Sequence, residues 1–418
     1  MAAEDDWQGV ENDISDPEEL RVIYQALDSF FRYAKVAHFN CTHLRRQSFY
    51  ALPQAHWKLL ASPPFNYLNT LERVDEAIDT NAELARAIAE AGIASFHMQE
   101  SRTSFDGIAK ANDIDKARST LRQFYRDWSA EGRPEREASY GPVKQYLQHM
   151  EQVRIQEWFG PSPPSPLPSL PPLKVLVPGA GLGRLVFDLC DLGYEVEGNE
   201  ISYHQLLASS YVLNRAPAAR QHTIYPWVQS FSNHASRANQ FRSYAVPDVH
   251  PATQLATPTK AGGSMSMSAA DFLCLYEQEA QRERFDAVAS VFFLDTAPNL
   301  IRYIEAIRNC LRPGGVLINV GPLLWHFEDN APGNHGRDDD GDGEHDPNAS
   351  SGIADPGSFE LTDDEVIALV ERLGFEMVRK NPMPIEAPYI QDRESMLRTV
   401  YRASSWVAKK KIGWVSDV

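Results

Sequence analysis

Three glycines stand at alternate positions in Val175-Leu-Val-Pro-Gly179-Ala-Gly181-Leu-Gly183-Arg184, directly after an apolar run. Glycine lets a backbone turn sharply and lets a ligand approach with no Cβ in the way. Leu185, Val186, Leu189 and Leu192 follow at helical spacing, and the first turn of a helix offers unpaired N–H groups. The spacing is G-x-G-x-G, not the G-x-G-x-x-G that seats a dinucleotide pyrophosphate on a helix end. Alone, the run is a tight strand–helix turn. Its companions add chemistry. Glu200 ends the next strand-like run, Tyr194-Glu-Val-Glu-Gly-Asn-Glu200, about 20 residues past the glycines, where a carboxylate accepts both hydroxyls of a ribose. Asp271 and Phe272, in Met267-Ser-Ala-Ala-Asp-Phe, suit an adenine: a carboxylate for the amino group and a ring to pack on. Leu311-Arg-Pro-Gly-Gly-Val-Leu-Ile-Asn319 reads as a helix, a turn and a further strand. Each has a plainer reading: water solvates a carboxylate such as Glu200, and Asp271 caps a helix. Four in order point to a nucleoside site.

A second group faces the same rim. Ser290-Val-Phe-Phe-Leu-Asp295 ends one apolar strand with a carboxylate, and Gly321-Pro-Leu-Leu-Trp-His326 follows another with an imidazole. In open α/β sheets ligands bind beyond the carboxyl ends of the strands. The plainer readings are a helix N-cap for Asp295 and a structural histidine for His326.

The elements that must position these residues are legible. From Lys174 onward KVLVP, YEVEGNE, FDAVASVFFLD and GVLINVGP alternate with helix-like segments, which predicts a parallel sheet with helices on both faces. Before it, residues 1–160 read as a helical domain. Leu121, Phe124, Tyr125 and Trp128 form one apolar stripe, with Asp113 as the expected N-cap. TLERVDEAIDTNAELARAIAEAG reads as one or two helices ended by Gly92. Residues 161–173 are a proline-rich linker, stiff and unable to continue a helix; a PxxP docking site is the lesser alternative. Two stretches read as irregular: Arg237 to Ser268, and an acidic insertion at 329–358 with almost no apolar content, expected to be disordered. Within the insertion Asp338, Asp340, Asp342 and Gly343 mimic the start of an EF-hand, but Ala349 stands where the bidentate Glu is required. The sequon Asn348-Ala349-Ser350 matters only after secretion.

Composition narrows the classes. Of 418 residues 43% are hydrophobic, enough for a sizeable core, and the net charge of -17 disfavours a nucleic-acid partner. No run of about 18 apolar residues predicts a membrane span. Cys41, Cys190, Cys274 and Cys310 lack metal-ligand or disulfide spacing and are expected as buried, reduced thiols, with no metal. The acidic start lacks a signal-peptide pattern. An intracellular protein is expected.

The G-x-G-x-G form is typical of class I methyltransferases. More specifically, VLVPGAGLGRLVFDL, EGNEISYHQLLASSYVLN, IYPWVQSFSNH, PDVHP, SMSAADF, FFLDTAPNLIRYIEAI and LRPGGVLINVGPLLWHFED, with the helix DKARSTLRQFYRDWS, resemble the carnosine N-methyltransferase family. The likeness runs from Asp113 or earlier to the C-terminus, with the acidic insertion as an addition and an unusually long linker. It implies an α/β fold, a Rossmann-like class I methyltransferase domain with a mainly parallel seven-stranded sheet, behind an N-terminal helical domain that acts as a lid. It implies S-adenosyl-L-methionine as cofactor, a dipeptide substrate and the cytoplasm, with the nucleus as a second compartment and a homodimer as the assembly. It also implies site residues. Gln123, Arg126, Gly179, Gly181, Gly183, Glu200, Asp271 and Phe272 would hold the cofactor, with Ala287 at a further contact position that carries an unusual side chain. Asp295, His326 and Tyr401 would hold the dipeptide, with Tyr389 and Arg398 nearby. The implied reaction methylates the imidazole nitrogen nearer the side-chain methylene of β-alanyl-histidine, giving anserine, and Asp295 is the expected imidazole partner. Gln123 and Arg126 lie off the apolar stripe and read equally as solvated. The rival substrates are another histidine-containing dipeptide or a protein histidine; a binding-only protein and a nicotinamide oxidoreductase are the rivals from other classes.

Overall fold

A computed structural model describes residues 17–95, 104–161, 164, 170–329, 352 and 357–414. The acidic start, most of the proline-rich linker and nearly all of the acidic insertion, with its EF-hand-like aspartates and sequon, lie outside these residues.

Among the described residues ten strands follow in chain order: β1 (Lys174–Pro178), β2 (Glu195–Glu200), β3 (His222–Ile224), β4 (Tyr244–Val246), β5 (Ser264–Ala269), β6 (Phe285–Val291), β7 (Leu311–Gly321), β8 (Phe375–Lys380), β9 (Ile385–Pro388) and β10 (Val400–Lys410). The main sheet runs β5-β2-β1-β6-β7-β10-β8, with β9 paired to β10. Its first five strands are parallel, and β10 is antiparallel to both β7 and β8. This is the mainly parallel sheet expected, its seven strands in line joined by β9 as an eighth. After Lys174 the central strand β1 is apolar because both faces are covered: Val175, Leu176 and Val177 are all buried. Strand order reverses between β1 and β6, and that crevice is where an open α/β sheet binds its ligand. Strands β3 and β4 form a separate antiparallel pair.

The helices before β1 are α1 (Pro17–Ala37), α2 (Leu44–Tyr50), α3 (Gln54–Ala61), α4 (Tyr67–Ser95), α5 (Ala111–Trp128) and α6 (Arg133–Phe159). Between the strands lie α7 (Arg184–Asp191), α8 (Tyr203–Ser210), α9 (Arg237–Gln240), α10 (Pro251–Ala256), α11 (Phe272–Tyr276), α12 (Leu300–Cys310) and α13 (Asp363–Arg372). The expected stripe of α5 is realised: Leu121, Phe124, Tyr125 and Trp128 are buried, each such side chain contributing about 1.5–3 kcal/mol. They join Ile23, Leu27 and Phe30 of α1 and Val74, Ile78 and Ile88 of α4 in one cluster. The same cluster takes in Phe187 of α7 and Leu207 of α8. The helical layer and one side of the sheet domain thus share a core.

Four local expectations are corrected. Gly92 does not end its helix, because α4 runs on to Ser95. A Cβ there would lie 2.6 Å from Leu207 and 2.8 Å from Leu27, so the glycine serves close packing. Asp113 lies in the first turn of α5 and its carboxylate accepts from Lys110 N–H at 2.9 Å; the N-cap is Lys110. The stretch from Arg237 to Ser268 contains α9, β4, α10 and most of β5, elements too short to show a period. Cys274 is exposed, while the other three thiols are buried; none of the four is in a disulfide.

Candidate functional site

The glycine loop carries the strain it was read for. Gly179, Gly181 and Gly183 have φ of 63°, 56° and 73°, values that other residues reach only at a cost. A Cβ would meet Phe293 at 2.9 Å from Gly179, Gln123 Nε2 at 3.0 Å from Gly181 and Leu213 at 2.9 Å from Gly183. The loop is a cradle that only glycine leaves open.

Glu200, at the carboxyl end of β2, faces that cradle. Its Oε2 accepts from Gly181 N–H at 2.9 Å, and its Oε1 from Ile201 N–H at 2.9 Å and Ser202 N–H at 2.8 Å. A carboxylate has about four lone-pair sites, so Oε2 keeps one for a hydroxyl. Burial raises the Glu200 carboxyl above its ordinary value, and the three N–H groups pull against that.

Gln123 roofs the loop from α5. Its Nε2 donates to Asp127 Oδ2 at 2.9 Å and its Oε1 accepts from Gln205 Nε2 at 3.0 Å. Arg126 is buried one turn on, with Nη1 3.3 Å from Asp127 Oδ1 and Nη2 donating to Ser139 Oγ at 3.2 Å. So neither residue is merely a solvated face. The end of α5 is locked to the loop: Trp128 Nε1 donates to Leu182 O at 3.0 Å, and Arg184 Nη1 to Asp127 O at 3.0 Å. Two buried polar atoms here have no partner among the described residues, Arg126 Nε and Gln205 Oε1. An orphan donor and an orphan acceptor beside a Cβ-free cradle fit a ligand with a zwitterionic amino-acid end, because unpaired buried polar groups are costly.

Asp271 sits past β5 as expected, but its Oδ1 caps α11, accepting from Leu273 and Cys274 N–H at 2.8 and 3.2 Å. Gly352 lies against the same carboxylate, so close that a Cβ would be 2.4 Å from it. Phe272 does not present an open ring. It is buried against Phe293, Tyr276 and Tyr303, with centroids 5.1–5.3 Å away, because the apolar face of α11 is drawn into the core. Ala287 is not brought to the site either. It is fully buried and pairs with Val175, at the end of β1 away from the glycine loop.

The second group gathers beyond β6 and β7. Asp295 lies in a short turn after β6 and is 2% exposed. Its Oδ2 accepts from Leu324 N–H at 2.9 Å, and its carbonyl accepts from His326 N–H at 3.1 Å. Burial raises its carboxyl above the ordinary range, with the Leu324 N–H and the charge of His326 opposing. His326 itself is exposed on the turn after β7. Tyr389 and Tyr401, from the β9–β10 hairpin, stand with ring centroids 6.2 Å apart. Phe292 completes an aromatic corner, 5.2 Å from Tyr389 and 5.8 Å from Tyr401. Arg126 reaches it from α5, 4.9 Å from the Tyr389 ring centre, which brings the two groups together. Burial raises the Tyr389 phenol, with Asp295 adding in the same direction. Arg398 stays outside: it is exposed and forms no hydrogen bond or ion pair among the described residues.

Sequence reading missed the residues that hold this corner. Phe292, Trp325 and Ile390 have φ of 55°, 46° and 48°, left-handed positions that cluster where function demands a fixed shape. Each is a neighbour of Asp295, His326 or Tyr389. Glu135, buried on α6, accepts from Ile390 N–H at 2.7 Å and Gln391 N–H at 2.9 Å and pins the bend after Tyr389.

The carnosine N-methyltransferase family model matches residues 103–412. The chain belongs to this family. Curated carnosine N-methyltransferases from Schizosaccharomyces pombe and Mus musculus are 35% and 32% identical to it, each match covering 94% of this chain and, respectively, 97% and 86% of the relative. Among solved structures, a SAM-dependent methyltransferase from Methanosarcina mazei matches at 18% identity and TM-score 0.34, over 58% of this chain and 95% of that one. Magnesium protoporphyrin IX methyltransferase from Synechocystis matches at 11% identity and TM-score 0.32, over 71% and 97%. As a family member, the chain is an S-adenosylmethionine-dependent methyltransferase. Among its described helices none is long and apolar enough to cross a membrane.

Proposed function

We propose that this chain is an S-adenosylmethionine-dependent N-methyltransferase that modifies the imidazole of carnosine at the nitrogen nearer the methylene, giving anserine. The observation that carries the reading is the buried Asp295 carboxylate beside the Phe292, Tyr389 and Tyr401 corner. When bound, S-adenosylmethionine supplies an electrophilic methyl group on a sulfonium, so no metal is required. Gln123, Arg126 and the glycine cradle would hold its amino-acid end, Glu200 its ribose, and Asp271 would lie on its adenine side.

What the protein must set is the state of the nucleophile. Imidazole, with a pKa near 6.5, is mostly neutral at pH 7, but its proton sits on either nitrogen. Asp295 accepts the N–H of the far nitrogen, which leaves the near nitrogen with a bare lone pair. The same carboxylate stabilises the imidazolium that forms on methylation, the logic of an Asp–His pair applied to a substrate histidine. Such a charge-assisted bond contributes about 1.5–3 kcal/mol. Leu324 N–H fixes one carboxylate oxygen, so its direction is preset. The Tyr389, Tyr401 and Phe292 rings flank the imidazole and exclude water, and their faces favour a forming cation. His326, exposed at the rim, binds and orients the dipeptide.

Purified protein incubated with labelled S-adenosylmethionine, carnosine and free histidine in parallel, with the product located by NMR, tests this. Methyl label on the near nitrogen of carnosine, with little on histidine, is expected. Transfer to neither compound by protein that still binds the cofactor refutes the substrate assignment.

A further inference from the structure

The segment Ile224–His234, IYPWVQSFSNH, is among the most distinctive in the chain and takes no part in the chemistry above. It forms one wall of a cavity of about 470 Å³, the size of a small-ligand site. The opposite wall is cationic. Arg118 and Arg122 project from successive turns of α5, and Arg45 comes from α2. Two like charges four residues apart oppose each other on a helix.

The cavity offers these cations little compensation. Arg122 forms no hydrogen bond or ion pair among the described residues; its guanidinium lies 5.6 Å from the Trp227 ring centre. Among the described residues Arg118 is paired only with the exposed Asp115, at 3.2 Å. Arg45 Nη1 donates to the Asn40 and Cys41 carbonyls and its guanidinium stacks 4.0 Å over Phe231. The one carboxylate in the lining, Asp392, is already engaged: it accepts from Asn239 Nδ2 at 2.9 Å on both oxygens and from Glu394 N–H at 3.1 Å. Ser230, Ser232 and Asn233 add neutral polar groups to the same wall. In a chain of net charge -17, three arginines converging on a cavity without a free acid is a built asymmetry.

We propose that this cavity is an oxyanion-binding site for a small ligand carrying phosphate or clustered carboxylate groups. Arg118 and Arg122 grip the oxyanion, and Trp227 and Phe231 flank the rest of the ligand. Guanidinium groups suit this role because they meet such anions with paired N–H donors. Cofactor-facing Gln123 lies beside Arg122 on α5, so occupancy bears on the same helix that roofs the glycine loop.

Isothermal titration of the full chain with pyrophosphate and with citrate tests this, using wild type, Arg122→Gln and Arg118→Gln. Saturable binding of at least one anion is expected, weakened about tenfold or more in Arg122→Gln and weakening with salt. The preferred anion distinguishes a phosphate ester from a polycarboxylate as the natural ligand. Both arginines are solvent-accessible, so the variants fold, and an unchanged melting temperature without ligand verifies that. Failure of both anions to bind wild type overturns the proposal, as does binding that Arg122→Gln leaves unchanged. Carnosine methylation by wild type, measured alongside, keeps a failure here distinct from failure of the proposed reaction.

Discussion

Replacing Asp295 with Asn keeps the shape of the side chain and removes its charge. The amide oxygen can still accept from Leu324 N–H, which now lies 2.9 Å from Oδ2, so the turn should hold. The atom facing the substrate becomes a donor where an acceptor is needed. The loss of a charge-assisted bond is about 1.5–3 kcal/mol, and a mispaired buried donor adds about 1–3 kcal/mol. Together they lower kcat/KM for carnosine by ~10²–10⁴-fold. Stability should move the other way. Burial raises the Asp295 carboxyl in the folded state, so that state holds the proton more tightly than the unfolded chain does. Its contribution is present at low pH and is lost as pH rises through the folded value. At neutral pH the charged form is therefore a burden, and Asp295→Asn should melt no lower than wild type, the difference narrowing on acidification. Steady-state kinetics, cofactor titration and thermal melts at two pH values measure all three. A variant with normal cofactor affinity whose kcat/KM lies within about threefold of wild type, too small a loss for one such hydrogen bond, would refute the role of Asp295.

Three further outcomes follow. Gly181→Ala places a Cβ 3.0 Å from Gln123 Nε2 at a φ of 56°; it should cost about 1 kcal/mol of stability and about tenfold in cofactor affinity, read by melting and by titration. Glu200→Gln removes the charged acceptor for the ribose and should weaken cofactor binding about 10–100-fold, while KM for carnosine at saturating cofactor stays put. His204, buried on α8 against Phe30 and 3.1 Å from Ser29 Oγ, has its pKa pushed down to about 4 by burial. A depressed basic group supports the fold above its unfolded value near 6.5 and loses that support as pH falls toward 4, about 3 kcal/mol in all. His204→Asn should flatten the acid side of the stability profile in denaturant titrations, and an equally steep loss in the variant would locate the effect elsewhere.

How much of this was legible follows from how local each cause is. The glycine loop was readable because its constraint lies in three consecutive turns of backbone, and Glu200 and Asp295 because strand ends in an open α/β sheet share one rim. The surroundings of Phe272 and Ala287 were not legible because packing sets them: the Phe293 and Tyr303 rings enclose the first, and the β1–β6 pairing encloses the second. Glu135 was invisible since its partners lie 255 and 256 residues away. Gly92 looked like a stop because its reason, the Leu207 and Leu27 side chains, belongs to other helices. The left-handed bends at Phe292, Trp325 and Ile390 carry no compositional mark, being imposed by tertiary contacts on residues that do not favour them.

Helix α5 has a consequence for traffic through the enzyme. Its far end is bolted to the glycine loop through Trp128 and Arg184, and its apolar stripe lies in the core shared by α1, α4, α7 and α8. A roof anchored on both sides does not swing, since lifting it would tear open the largest buried cluster touching it. Any ligand that enters or leaves the crevice therefore has to pass by a side other than α5, and Leu324 and His326 stand exposed on the turn after β7.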